Sequence, residues 1–259
     1  MRILFVGEIV AKAGRNTVVE VLPSLIKEKK IDLVIANAEN VAHGRGVTVG
    51  TLKEMQDAGV NYFTSGDHIF GQKGFDEEID SLPVLRPANY PEGTAGKGWA
   101  VVDCGEGGQV LLINLMGRTS FGSLTSYVDD PFRKVDEILE ETGGQDFSAI
   151  IVDFHGEATS EKMAFAFYVD GRVTAVCGTH THVPTCDNFV LPKGTMYVSD
   201  VGMTGVIDSV LGVKKEIIIN MMLTAQRQRF EWESAGRKAF RSVILDLENN
   251  TVSRFDKYI

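Results

Sequence analysis

Basic residues, cysteines and long apolar runs are all scarce in this chain of 259 residues. Lys and Arg number 26 against 35 Asp and Glu, a formal net charge of −9, and a surface short of clustered cations does not suit a nucleic-acid duplex. A small anionic substrate stays compatible, provided metal ions supply positive charge locally. The three cysteines, Cys104, Cys177 and Cys186, are odd in number and widely spaced. That argues against a disulfide framework, fits a reducing cytoplasm and leaves each thiol to be read as a small buried hydrophobe. No stretch approaches the ~20 apolar residues of a membrane span. The short run in MRILFVGEIVA has no cleavage-type region after it, so it reads as a buried first strand.

What is present is 44% hydrophobic residues, enough for one substantial core. RILFVG ends a strand-like run on glycine, and RNTVVEVLPSLIKEKK then carries apolar residues at helical spacing and closes on lysines. IDLVIANAEN reads as a second buried strand, TVGTLKEMQDAG as a helix, VNYFTSG as a third strand and FDEEIDSL as a short helix. This βαβαβ order implies parallel strands with right-handed crossovers. GWAVVDCGEGGQVLLINL reads as a hairpin around GEGG, followed by a loop and the helix PFRKVDEILEETGG. The second half resumes with strand, loop and helix over SAIIVDFHGEATSEKMAFAFYVDG, then a strand and loop over RVTAVCGTHTHVPT, and short strands around GTMYVSD. The helix KKEIIINMMLTAQRQ and a β-rich tail close the chain. No repeat or linker interrupts it, so residues 1–259 are expected to form a single domain, with two sheets face to face and helices outside.

The histidines are few: His43, His68, His155, His180 and His182. Four of them follow an expected strand end, where ligands bind in parallel α/β sheets. Singly, each is ordinary as a hydrogen-bonded structural residue; their joint placement is not. The H-x-H pair in GTHTH can direct both imidazoles to one locus, or to two adjacent metals where the chain turns, and DFHGE adds His155 at a neighbouring strand tip. The first half supplies oxygen ligands at corresponding places: Glu8, Glu39 with Asn40, and Asp67. Carboxylates at buried strand tips are costly unless paired or bound to cations, although Asn40 and Asp67 could instead cap a following helix. Together these residues suggest a binuclear site with mixed nitrogen and oxygen ligands. Such a site suits phosphate-ester hydrolysis, with ions about 3.5 to 4 Å apart, one bridging carboxylate and a bridging hydroxide as nucleophile. Glu39 is the bridging candidate, because Asn40 beside it can add an amide oxygen. His68, next to Asp67 but expected to point elsewhere, is the candidate general acid.

The ordered blocks GEIV…GR, NAEN, SGDH, RPANYP, DFHGEATSEK, GTHTHVPT and SDVGMTG resemble the YmdB-like branch of the calcineurin-type metallophosphoesterases, and they span nearly the whole chain. The resemblance implies a four-layer α-β-β-α sandwich of mixed sheets flanked by helices, and phosphodiesterase activity on small cyclic nucleotides such as 2',3'-cyclic AMP. It further implies two metal ions, iron or manganese with zinc as an alternative, and a homo-oligomer. The first metal would take Glu8, Glu39, Asn40 and His182, the second Glu39, Asp67, His155 and His180; His68 matches the proton donor.

The chain departs from the family pattern where Glu8 replaces an aspartate, Asp67 an asparagine, and Ala11 and Ala13 a glycine and a proline. An extra methylene at Glu8 shifts its carboxylate by ~1.5 Å, and Asp67 adds a third carboxylate to the ligand set. Those changes motivate an alternative, a catalytically weakened regulator that binds metal or nucleotide; a phosphomonoesterase would use the same metals. Arg15 in GRNT and Asn89 or Tyr90 in RPANYP are candidate substrate contacts, with a solvated helix start and a rigid turn as the ordinary alternatives. Gly202 suggests a tight backbone approach, and His43 an ordinary loop position.

Overall fold

The computed structural model describes residues 1–119 and 127–259. Two sheets lie face to face. The first has seven strands in the order β2-β11-β12-β1-β3-β4, with β13 paired to β12; the second has six in the order β5-β6-β7-β8-β10-β9, its edge formed by β10 (Met196–Val198) and β9 (Phe189–Val190). The opening βαβαβ is as expected: β1 (Arg2–Val6) lies parallel to β3 (Leu33–Asn37), which lies parallel to β4 (Tyr62–Thr64). α1 (Ala11–Lys29) and α2 (Val49–Asp57) form the crossovers. The GEGG hairpin joins β5 (Trp99–Asp103) to β6 (Gln109–Met116). The loop expected after it falls partly on residues 120–126, outside the described residues.

Three apolar clusters define the layers. Val18, Leu22 and Leu25 of α1 and Leu52 and Met55 of α2 pack on one face of the first sheet through Leu4, Val6, Val34 and Phe63. Its opposite face, through Ile3, Phe5, Ile35 and Val243, meets Leu112, Ile151, Ala175 and Val198 of the second sheet. The far side of that sheet is covered by α3 (Pro131–Glu141), through Val135 and Ile138, and by α4 (Thr159–Tyr168), through Phe165 and Ala166. Strands alternate their side chains between faces, so one central sheet pair serves two helical layers. The result is the expected α-β-β-α sandwich.

Several local expectations are corrected. α1 begins at Ala11, earlier than its apolar periodicity indicates, because Ala11 takes a left-handed φ of +53° and its N–H donates to the Asn40 carbonyl at 3.0 Å. FDEEIDSL forms two short 3-10 turns, Phe75–Glu77 and Ile79–Ser81. Two pieces too short to show periodicity, β2 (Glu8–Ile9) and β11 (Met203–Val206), pair in parallel. The tail forms a hairpin of β12 (Lys238–Asp246) and β13 (Thr251–Tyr258), and β12 inserts antiparallel beside β1. Cys177 is buried and Cys104 partly so, but Cys186 is exposed in the loop after β8 (Ala175–Thr179). α5 (Lys215–Thr224) stands outside the layers with no buried residue, and among the described residues no helix is long and apolar enough to cross a membrane.

Candidate metal centre

The carboxyl ends of five strand segments converge where the two sheets meet. β1 runs through Gly7 into β2 and delivers Glu8; β3 is followed by Glu39 and Asn40; β4 by Asp67 and His68. From the second sheet, β7 (Ala149–His155) ends on His155 and β8 is followed by His180 and His182. No helix starts at Asn40 or Asp67, so the capping alternative falls away; the cap of α2 is Thr48.

The ligand-type atoms fall into two groups. Those of Glu39, Asp67, His155 and His180 all lie within 4.8 Å of one another, as do those of Glu8, Glu39 and His182. Glu39 belongs to both. The H-x-H pair is thus divided between the groups, which the backbone achieves by taking left-handed φ values at His180 (+106°) and His182 (+64°). Gly66 makes the convergence possible: a Cβ there would lie 2.2 Å from His155 Nε2 and 2.3 Å from a Glu39 carboxylate oxygen.

The contacts are dense. His155 Nε2 lies 3.3 Å from Glu39 Oε2, 3.4 Å from Asp67 Oδ1 and 3.0 Å from His180 Nδ1. Glu8 contacts His182 Nε2 through Oε2 and accepts the His180 backbone N–H through Oε1. Asn40 Nδ2 donates to Glu8 Oε2 at 3.0 Å and to Glu39 Oε1 at 3.1 Å, so the amide nitrogen faces the carboxylates and Oδ1 faces His68. Ligation by the Asn40 oxygen, as expected from sequence, requires that amide to rotate.

His68 is also corrected. It does not point away from Asp67: its Nε2 lies 3.3 Å from Asp67 Oδ2, and its Nδ1 lies 3.0 Å from Asn40 Oδ1. An amide oxygen only accepts, so Nδ1 carries a proton and Nε2 is left to exchange one. Burial pushes the His68 pKa below the ordinary imidazole value, with Asp67 working in the other direction.

The electrostatics are those of carboxylates crowded together and balanced by protons. Burial opposes ionisation of Glu8, but His182, His155 and His180 outweigh it and hold the carboxyl well below the usual range. Burial likewise opposes Asp67, and His155, His68 and His180 bring it to about 2. Burial pushes Glu39 up to about 8, reinforced by Glu8 and Asp67 and opposed by His155. Burial disfavours the charged form of His155, yet Glu39, Asp67 and Glu8 raise it to about 10; against the same penalty, Glu8 and Glu39 raise His182 to about 9. Burial and the neighbouring His155 push His180 down to about 3. Imidazolium protons therefore occupy the charge-balancing role that cations fill in a mixed imidazole–carboxylate site. The donor set, nitrogen and oxygen without thiolate, fits two divalent ions of the iron, manganese or zinc kind.

Beneath the ligands lies a buried network that the sequence reading missed. His155 Nδ1 lies 2.9 Å from Thr179 Oγ1, which donates to Asp153 Oδ1 at 2.7 Å. Thr64 Oγ1 and Asn37 Nδ2 donate to the other Asp153 oxygen at 2.5 and 3.0 Å. This fixes the His155 ring with Nε2 toward the centre, as outer partners of metal-bound histidines do. A second device holds the H-x-H loop: Asp200 Oδ2 accepts the Thr181 N–H at 3.0 Å and pairs with fully buried Lys162 at 2.8 Å. An acidic residue two positions before a strand-end histidine, and a lysine on an otherwise buried helix face, were the available signals.

Other candidates lie elsewhere. Asn89 is not a pocket residue: it is fully buried, its amide nitrogen donating to the carbonyls of Met116 and Asp129 and its oxygen accepting from Met116 N. Arg15 is neither solvated nor free for phosphate, since it donates to Glu54 at 2.6 Å and to the Val41 carbonyl at 2.7 Å, clamping α1 to α2. Tyr90 donates to the Gly66 carbonyl at 3.4 Å from behind the site. His43 is an exposed turn residue. Gly202 does mark a close approach: its carbonyl accepts the Glu8 N–H at 3.1 Å, and a Cβ on Gly7 would fall 1.8 Å from that oxygen.

The chain as a whole is similar to known proteins. The family described as YmdB-like protein matches residues 4–256. The chain is 44% identical over 252 residues to the 2',3'-cyclic-nucleotide 2'-phosphodiesterase of Bacillus subtilis, covering 97% of this chain and 93% of that protein. It is similar to a crystal structure of a hypothetical protein from Thermus thermophilus, at 39% identity and a TM-score of 0.91 over 100% of this chain and 99% of the other. A novel phosphatase from Mycoplasma pneumoniae superposes with a TM-score of 0.89 at 34% identity, over 100% and 93% of the two chains.

Proposed function

The chain belongs to the YmdB-like family, and from that premise we propose that it is a binuclear-metal-dependent phosphodiesterase acting on small cyclic nucleotides such as 2',3'-cyclic AMP. The observation that supports this reading most directly is the pair of ligand groups sharing Glu39. In this reading Glu8, Asn40 and His182 would hold one ion and Asp67, His155 and His180 the other, with Glu39 available to both. When bound, ions of the iron or manganese kind would supply Lewis-acid charge at the phosphoryl oxygens and lower the pKa of the attacking water.

The protein groups do the rest. With the Asn40 amide rotated to turn Oδ1 toward the ion, its Nδ2 would donate to His68 Nδ1, leaving the imidazole proton on Nε2 beside Asp67, from where it can pass to the leaving oxygen. Thr179 and Asp153 keep the His155 tautomer, and the Lys162–Asp200 pair keeps His180 and His182 apart. A cytoplasmic location, in keeping with three unpaired thiols, and a homo-oligomer, in keeping with the exposed Met222 and Leu223 of α5, complete the proposal.

Elemental analysis and turnover assays test it together. The expected outcome is about two ions per chain and hydrolysis of 2',3'-cyclic AMP, with a ~10²-fold or larger loss of kcat in His68→Ala at unchanged metal content. Hydrolysis of phosphomonoesters alone overturns the diesterase reading. Absence of both metal and turnover points instead to a weakened binding protein.

A further inference from the structure

The cleft of about 280 Å³ above the ligand groups is polar on one side only. Glu39, Asn40, His68, Glu157, His180, Thr181 and His182 form that side, and Leu211, Val213, Phe230 and Trp232 form the other. Leu211 is 45% and Phe230 49% exposed, and exposed large side chains beside a charged centre call for an occupant.

The apolar wall is built, not incidental. Leu211 takes a left-handed φ of +53°, unfavourable for a residue with a side chain, and its carbonyl then lies 3.1 Å from His182 Nδ1. The turn that aims His182 at Glu8 therefore also carries Leu211 into the cleft. Val210 and Val213 exchange backbone hydrogen bonds of 2.9 and 3.0 Å, and Glu233 N donates to the Gly212 carbonyl at 2.7 Å, tying the turn to the Trp232 segment. The indole is backed by glycine backbone: a Cβ at Gly44 would fall 1.9 Å from its ring and one at Gly212 3.2 Å away. Val10, Ala11 and Met203 pack against it from below. A rigid aromatic surface supported from behind and open in front is what a flat π system stacks on.

We propose that Leu211, Phe230 and Trp232 form the nucleobase-recognition wall of the site, holding a purine while the cyclic phosphate reaches the ligand groups. This rests on the phosphodiesterase reading and adds its specificity determinant. Affinity then comes from the face of the base, so the larger purine surface is favoured over a pyrimidine.

The test compares 2',3'-cyclic AMP, 2',3'-cyclic CMP and base-free ribose 2',3'-cyclic phosphate as substrates of the metal-loaded wild type, Phe230→Ala and Leu211→Asn. Asparagine tolerates the left-handed backbone, so Leu211→Asn removes apolar surface while keeping the turn. The expected result is that the kcat/KM preference for 2',3'-cyclic AMP over the base-free substrate falls about tenfold in either variant, mainly through KM. A preference that does not change in either variant overturns the wall. Binding of 3'-AMP, read by tryptophan fluorescence, separates the two readings. Quenching of the wild type that needs about tenfold more 3'-AMP in Phe230→Ala and Leu211→Asn, which keep Trp232 as reporter, in a protein that turns over no cyclic phosphate, upholds the wall and sinks the diesterase. Turnover with equal preference for all three substrates in the wild type does the reverse.

Discussion

Glu8, Glu39 and Asp67 crowd their carboxylates together in a buried site, and the protons of His155 and His182 make the arrangement tolerable in the metal-free protein. The extra methylene of Glu8 is used: one oxygen accepts the His180 N–H while the other reaches His182. Metal ions must displace the protons they replace. With His155 near 10, His182 near 9 and Glu39 near 8, titration with Mn²⁺ at pH 7 in buffers of different ionisation enthalpy is expected to release about two to three protons per chain. Release of none means the imidazoles are neutral beforehand. Gly66 gives a second residue-scale outcome. A methyl there would sit on the His155 and Glu39 ligand atoms, so Gly66→Ala is expected to lose most bound metal and at least ~10²-fold in kcat, measured by elemental analysis and turnover.

Elements aim these residues, and two of them do so under strain or through buried charge. Ala11 enters α1 with a left-handed backbone that a glycine adopts freely. Ala11→Gly is therefore expected to raise stability by ~1 kcal/mol, visible as a rise in Tm of about 2–4 °C; a fall indicates that helix propensity decides there. The H-x-H loop depends on α4 through Lys162 and Asp200. Removing one partner of a buried pair costs about 3–5 kcal/mol, so Lys162→Met is expected to lower Tm strongly. Because Asp200 also holds Thr181, the same variant, assayed well below its Tm, is expected to bind metal more weakly.

For the whole molecule, joining two sheets at a charged seam makes metal-free stability depend on pH. A histidine with a raised pKa contributes stability that is fully present below its ordinary value of 6.5 and lost as pH rises through the folded value. For His155 and His182 that window runs from about 6.5 to about 9–10. Each pKa unit is worth about 1.4 kcal/mol. The chelated protein is thus expected to lose ~3 °C or more in Tm between pH 7 and pH 9, while the metal-loaded protein changes less; thermal scans of both forms check this.

The sequence by itself determined the βαβαβ opening, the hairpin, the five longer helices and the identity of the residues at each strand tip, because periodicity, glycine stops and polar residues after apolar runs are local signals. The division of the seven metal-ligand candidates between two ions came only as an expectation, through resemblance to a family. Only the tertiary structure decided what those residues face. The pairing of β12 beside β1, the contact of His68 with Asn40, the spending of Asn89 and Arg15 on backbone and Glu54, and the Asp153 and Lys162 supports all join positions distant in the chain. No local pattern encodes which hydrogen-bond partner a buried polar group will meet. That choice follows from the packing of one sheet against another, where every buried donor and acceptor must be matched at once.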